Sequence, residues 1–105
     1  MPFRTITLSD RQTIAEAMRV NAAIDAMLSA AGSCRAHGLE AAISCACNSR
    51  ADFDRLKAAY HQTASTHPDW NEPDTIVSYK NPTNGHFISL NFAALSGMIG
   101  RCEKK

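Results

Sequence analysis

The densest group of chemically capable side chains lies between Cys34 and Cys47. Cys34-Arg35-Ala36-His37 is followed by Cys45-Ala46-Cys47. Three thiols and an imidazole are donors of the kind that tetrahedral zinc accepts. The spacing, Cys-x2-His-x7-Cys-x-Cys, departs from the established zinc patterns. Cys34, His37, Cys45 and Cys47 therefore stand as a candidate zinc or thiol site. The plainer expectation is that the cysteines behave as small buried hydrophobes. Cys34 is the best placed for thiolate chemistry, because Arg35 and His37 lie close by and basic neighbours lower a thiol pKa. The chain has no Cys-x-x-Cys, so a thioredoxin-type couple has no support.

Other catalytic patterns are missing. There is no Gly-x-Gly-x-x-Gly, no Walker sequence and no Gly-x-Ser-x-Gly. Asp52 and Asp54 are two residues apart, which on a helix turns them to different sides. The four histidines, His37, His61, His67 and His86, are scattered. The chain is accordingly expected not to be an enzyme, and no cofactor other than zinc is implied.

Two features suggest contact surfaces instead. Ala22, Ala26 and Ala30 repeat every fourth residue, a ridge against which another helix can approach closely. Alanine is also simply the best helix former. Trp70, the only tryptophan, sits in an acidic, proline-bracketed loop with Asp69, Glu72 and Asp74. Tryptophan is enriched among interface anchors, and acidic neighbours suit a basic partner surface. The plainer expectation is that it folds back as a lid on the core. The leading expectation is a small non-enzymatic binding or regulatory domain of inhibitor or adaptor type. It would contact another protein, or a second copy of itself, through Trp70, Asp69, Glu72, Ala22, Ala26 and Ala30. The zinc or thiol site is the alternative. A nucleic-acid-binding module using Arg4, Lys80 and Phe87 is a further one. The balance of 11 basic and 10 acidic side chains, net charge +1, disfavours it.

The elements that must carry these residues can be read in outline. The 105 residues fit a single domain, 1–105, and 45% hydrophobic content with 20% charged is a globular balance. The alanine-rich stretch is interrupted by Glu16, Arg19, Asn21 and Asp25, so no membrane span or membrane partner is expected. The first ten residues lack an apolar signal core, which leads to the cytoplasm as the expected location and to reduced cysteines.

Phe3 to Leu8 reads as a strand, and Ser9 or Asp10 as a helix N-cap. Helix one spans about Arg11 to Ala30, with Ile14, Ala17, Met18, Ile24, Leu28 and Ala31 as its apolar face. Leu39 to Cys47 fits a strand with Cys45 and Cys47 on one face, or a helix with Leu39, Ala42, Ile43 and Ala46 in a stripe. The stop at Asn48-Ser49 favours the strand. Helix two starts at Ser49 with a capping box to Asp52, carries Phe53, Leu56, Tyr60 and Ala64, and ends before Pro68.

Asn84-Gly85 marks a hairpin in which Tyr79 faces Leu90 and Val77 faces Phe92. The alternation requires an even loop length, since an odd shift would mix apolar and polar faces. Phe92 to Arg101 is compatible with a short final helix. The resulting fold class is α+β, a two-layer sandwich of order β-α-β-α-β-β.

Overall fold

The computed structural model describes residues 3–103, without the side chains of Ser33, Arg35, Ala36, Leu39, Glu40, Ala42 and Ile43. The observed order is β1 (Arg4–Thr7), α1 (Arg11–Ala30), a 3₁₀ turn (Gly32–His37), α2 (Leu39–Asn48), α3 (Arg50–Thr66), a second 3₁₀ turn (Pro68–Asn71), β2 (Thr75–Lys80), β3 (Phe87–Leu90) and α4 (Phe92–Glu103). The fold is α+β. The sheet is mixed and three-stranded, ordered β1-β2-β3.

Asp10 starts α1 as its N-cap. Its carboxylate accepts from the Thr13 backbone N–H at 2.9 Å and from the Thr13 hydroxyl. Those bonds favour the charged form, so Asp10 titrates below its ordinary value. The folded pKa is depressed, so the cap's contribution is complete above the ordinary value of 3.8. It fades as pH falls through the lower folded value. Asp10→Asn should retain capping at neutral pH and remove this acid-sensitive component. Thermal midpoints measured from pH 5 downward would check it, and parallel curves for the two proteins would refute it.

The buried stripe of α1 is Ala17, Val20, Ala23 and Met27, with Ala31 just beyond. This face is turned by roughly a quarter turn from the one anticipated around Ile14, Met18 and Leu28. Leu28 is 42% exposed. The reason is the neighbour: α1 packs chiefly on α3, and Ala23 is small enough to lie in that seam.

Residues Leu39–Asn48 form a helix, which corrects the expected strand and leaves three strands where four were anticipated. Alanine-rich composition prevails here. The chain starts α2 directly after Gly38, at φ 101°, a conformation that favours glycine. A helical period also separates Cys45 from Cys47 by about 200°, so the two point different ways.

Helix α3 buries Phe53, Leu56, Ala59, Tyr60 and Thr63, close to the expected stripe. The expected capping box is not made. Ser49 Oγ instead donates back to the Cys45 carbonyl at 3.3 Å.

Strand β2 is the central strand. It runs parallel to β1, with Ile6 beside Val77, and antiparallel to β3, with Val77 opposite Leu90 and Tyr79 opposite Ile88. The hairpin register is displaced by two residues from the expected one. The loop is therefore longer: Asn81 N–H donates to His86 O, and Gly85 N–H to Asn81 O, both at 2.8 Å. The Asn81 and Asn84 side chains brace it by accepting from Thr83 N–H and His86 N–H. Gly85 takes φ 75°. Because the shift is even, Val77, Tyr79, Ile88 and Leu90 keep the inward face.

Phe92 leaves the strand and enters α4. Asn91 caps that helix, its side chain accepting from Ala94 N–H at 3.0 Å. Phe92, Leu95, Ile99 and Cys102 are the buried side of α4.

Tyr79 is fully buried, and its hydroxyl is a buried polar atom without a hydrogen-bond partner among the described residues. Burial and the charge of Asp25 push its pKa up. A buried hydroxyl without a partner retains its desolvation penalty. Tyr79→Phe should therefore raise stability by about 1 kcal/mol. A urea midpoint lower than that of the parent would refute this.

Candidate functional site

All four cysteines are paired. Cys34 joins Cys45 and Cys47 joins Cys102. This corrects the expectation of reduced thiols. It also takes Cys34, Cys45 and Cys47 away from a shared metal, since zinc binds thiolates and not disulfide sulfurs. Among the described residues no group of His, Cys, Asp and Glu is arranged to hold a metal ion. His37 is exposed at the end of the 3₁₀ turn. The helical period of α2 is what divides the cysteines. Cys45 faces back toward the 3₁₀ turn and its partner Cys34, while Cys47 faces α4 and its partner Cys102.

The Cys47–Cys102 bridge borders an open pocket of about 350 Å³. Asn48, Arg50, Phe53, Lys57 and Glu103 complete its lining. The Arg50 guanidinium lies over the Phe53 ring, 5.5 Å from its centroid. The Lys57 ammonium pairs with the Glu103 carboxylate. Glu103 titrates below the usual carboxylate range, first because of the Lys57 hydrogen bond and then through the charges of Lys57, His61 and Arg50.

Trp70 is only 2% exposed, which fits the reading of it as a lid on the core and corrects its placing among the partner-contact residues. The second 3₁₀ turn swings the indole inward. It stacks on His67 with ring centroids 4.0 Å apart and meets Phe92 at 5.6 Å. Tyr60 Oη donates to Asn71 Oδ1 at 2.7 Å and ties the same turn to α3. Asp69 and Glu72 stay at the surface. Glu72 accepts from Arg4 at 3.4 Å, an exposed pair.

One cluster escaped sequence reasoning. His67 Nε2 lies 2.9 Å from Glu16 Oε2, both side chains half-buried, and the imidazole is sandwiched against Trp70. A polar Glu16 beside the apolar stripe of α1 was its one sequence trace. Its partner, 51 residues away, was not legible.

Ala22 and Ala30 are exposed and Ala26 is half-buried. Ala22 lines a second open groove of about 350 Å³ between α1 and α3, together with Ala23, Ala58, Ala59, Arg19, Arg55 and Gln62. Arg19 Nη1 donates to Gln62 Oε1 at 3.4 Å, and Arg55 approaches Asp52 at 3.9 Å. Ala26 and Ala30 do not line this groove. Ala58 and Ala59 were not singled out beforehand, because only the pairing of α3 with α1 brings them beside Ala22.

No protein-family model, no curated protein and no solved structure matches the chain.

Proposed function

We propose that the chain is a small binding domain of inhibitor or adaptor type, working by protein–protein contact through the groove between α1 and α3. The observation that carries this reading is the groove itself: a floor of alanines from two helices, bordered by Arg19, Arg55 and Gln62. Alanines let a third helix approach closely. The two arginines select an acidic one, because charge complementarity sets specificity and on-rate. The Arg55–Asp52 pair is exposed and weakly held, so it yields readily to a partner carboxylate. The reading takes the fold as two layers, with the helices over the Val77, Tyr79 and Leu90 face of the sheet. Two disulfides favour an oxidising compartment over the cytoplasm first expected. Among the described residues no helix is long and apolar enough to cross a membrane.

A labelled alanine-rich helical peptide bearing glutamates, beside its lysine counterpart, tests the proposal. The acidic peptide should bind, weaken as salt rises, and lose binding to Ala58→Glu. Equal binding of both peptides, or none, would refute it. Sedimentation of the protein alone at rising concentration tests whether a second copy occupies the same groove.

Phe87, 70% exposed and opposite Lys80 in the β2–β3 register, favours a second reading as a single-strand nucleic-acid module. Salt-sensitive retention on an oligonucleotide, lost in Phe87→Ala, is its expected result.

A further inference from the structure

Residues 19–23 and 55–59 both read Arg-x-x-Ala-Ala. The two segments also share one burial order: exposed, buried, half-buried, exposed, buried. They lie on α1 and α3, and Arg19, Ala22, Ala23, Arg55, Ala58 and Ala59 all line the groove between those helices. The helices run antiparallel, since Glu16 early in α1 meets His67 just beyond α3, and Arg19 meets Gln62. Antiparallel helices that turn the same motif to one groove are related by a local two-fold axis through its mouth. The arginines consequently sit on opposite helices, toward opposite ends of the groove. Arg19 is beside Gln62, and Arg55 is seven residues from Gln62 along α3, about 10 Å at the helical rise. The alanines lie between them.

Resting on the reading of this groove as the seat of an acidic helix, we propose that it recognises two carboxylates about two turns apart and takes that helix in either direction. Residues i and i+7 of one helix are that far apart and share a face, so one carboxylate meets Arg19 and the other meets Arg55. Reversing the helix exchanges the two contacts. The dipoles of α1 and α3 oppose each other, so they favour neither direction. Both arginines are exposed and their own contacts are weak: Arg19 with the neutral Gln62 amide at 3.4 Å, Arg55 with Asp52 at 3.9 Å. A second copy seated groove to groove would bring the arginines of both copies together. The fitting occupant is therefore a partner helix of opposite charge.

Two alanine-rich helical peptides of equal length and composition, with two glutamates at i,i+7 or at i,i+14, test the spacing. The wider pair meets one arginine at a time. The i,i+7 peptide should bind about threefold tighter, the effect of one exposed ion pair. Arg19→Gln and Arg55→Gln should each remove that advantage. A nitroxide on the N-terminus of the i,i+7 peptide tests direction. In NMR spectra of the complex it should broaden the amide signals of both Gln62 and Arg55, because both orientations are populated. Equal affinity of the two peptides overturns the spacing. Broadening at one end alone overturns the two-way seat. In either case the acidic-helix reading survives. If neither peptide binds, that reading fails and this inference fails with it.

Discussion

Replacing Cys47 and Cys102 together with alanine should lower the unfolding free energy by about 4 kcal/mol, the chain-entropy value for so long a loop. The bridge joins positions 55 residues apart, and its removal frees the denatured chain to explore far more conformations. Cys34 and Cys45 are 11 residues apart, and their joint replacement should cost less, about 3 kcal/mol. Changing both members of a pair avoids leaving a lone thiol. A domain of this kind has only about 5–15 kcal/mol in total, so the first variant should be marginal at body temperature. Urea denaturation of the two double variants measures both numbers. A loss below about 1 kcal/mol for Cys47 and Cys102 would mean that packing alone constrains α4.

Trp70→Ala should cost about 3–5 kcal/mol, the usual penalty for truncating a buried large aromatic. The indole contacts His67 on one side and Phe92 on another, so its removal leaves a cavity between the 3₁₀ turn and α4. It also strips one covering from the half-buried His67–Glu16 pair. Trp70→Phe should cost markedly less, because part of the stack survives. Far-UV circular dichroism in urea is the suitable readout, since the variant lacks the chain's single tryptophan. If Trp70→Ala changed stability by less than about 1 kcal/mol, the indole would not be the core residue that its burial implies.

The same residue shows where local reasoning stops. An acidic loop with two prolines reads as exposed, and Trp70 within it reads either as a lid on the core or as a surface anchor. What turned it inward was the apolar space between α3, α4 and the sheet, which no local pattern records. Glu16 and His67 are a similar case, as each needs the other to be legible.

The cysteines make the contrast sharper. Counting them allowed either two disulfides or a cluster of thiols. The lack of an apolar signal core in the first ten residues pointed to thiols, and the strand reading of residues 39–47 left a shared metal open. A strand puts Cys45 and Cys47 on one side, as a shared metal would require. The helix sends them apart, each to its own partner.

By itself the sequence determined the features set by local chemistry. Ser9 or Asp10 starts α1, Pro68 ends α3, the α3 stripe is Phe53, Leu56 and Tyr60, and the inward face of the hairpin survives its change of register. These depend on caps, on proline and on periods of 3.6 and 2, all of which act within one or two turns of chain. Only the tertiary structure decided the exact loop length at Asn84-Gly85, the turn of α1 toward α3, the disulfide partners and the fate of Trp70. Each of these depends on a surface supplied by another part of the chain. The Cys34 to Cys47 segment belongs to both groups. Its residues announced sulfur chemistry from the start, but the helical twist of α2 sends Cys45 to Cys34 and Cys47 to Cys102, so the sulfurs are used in two bridges and not in a shared site with His37.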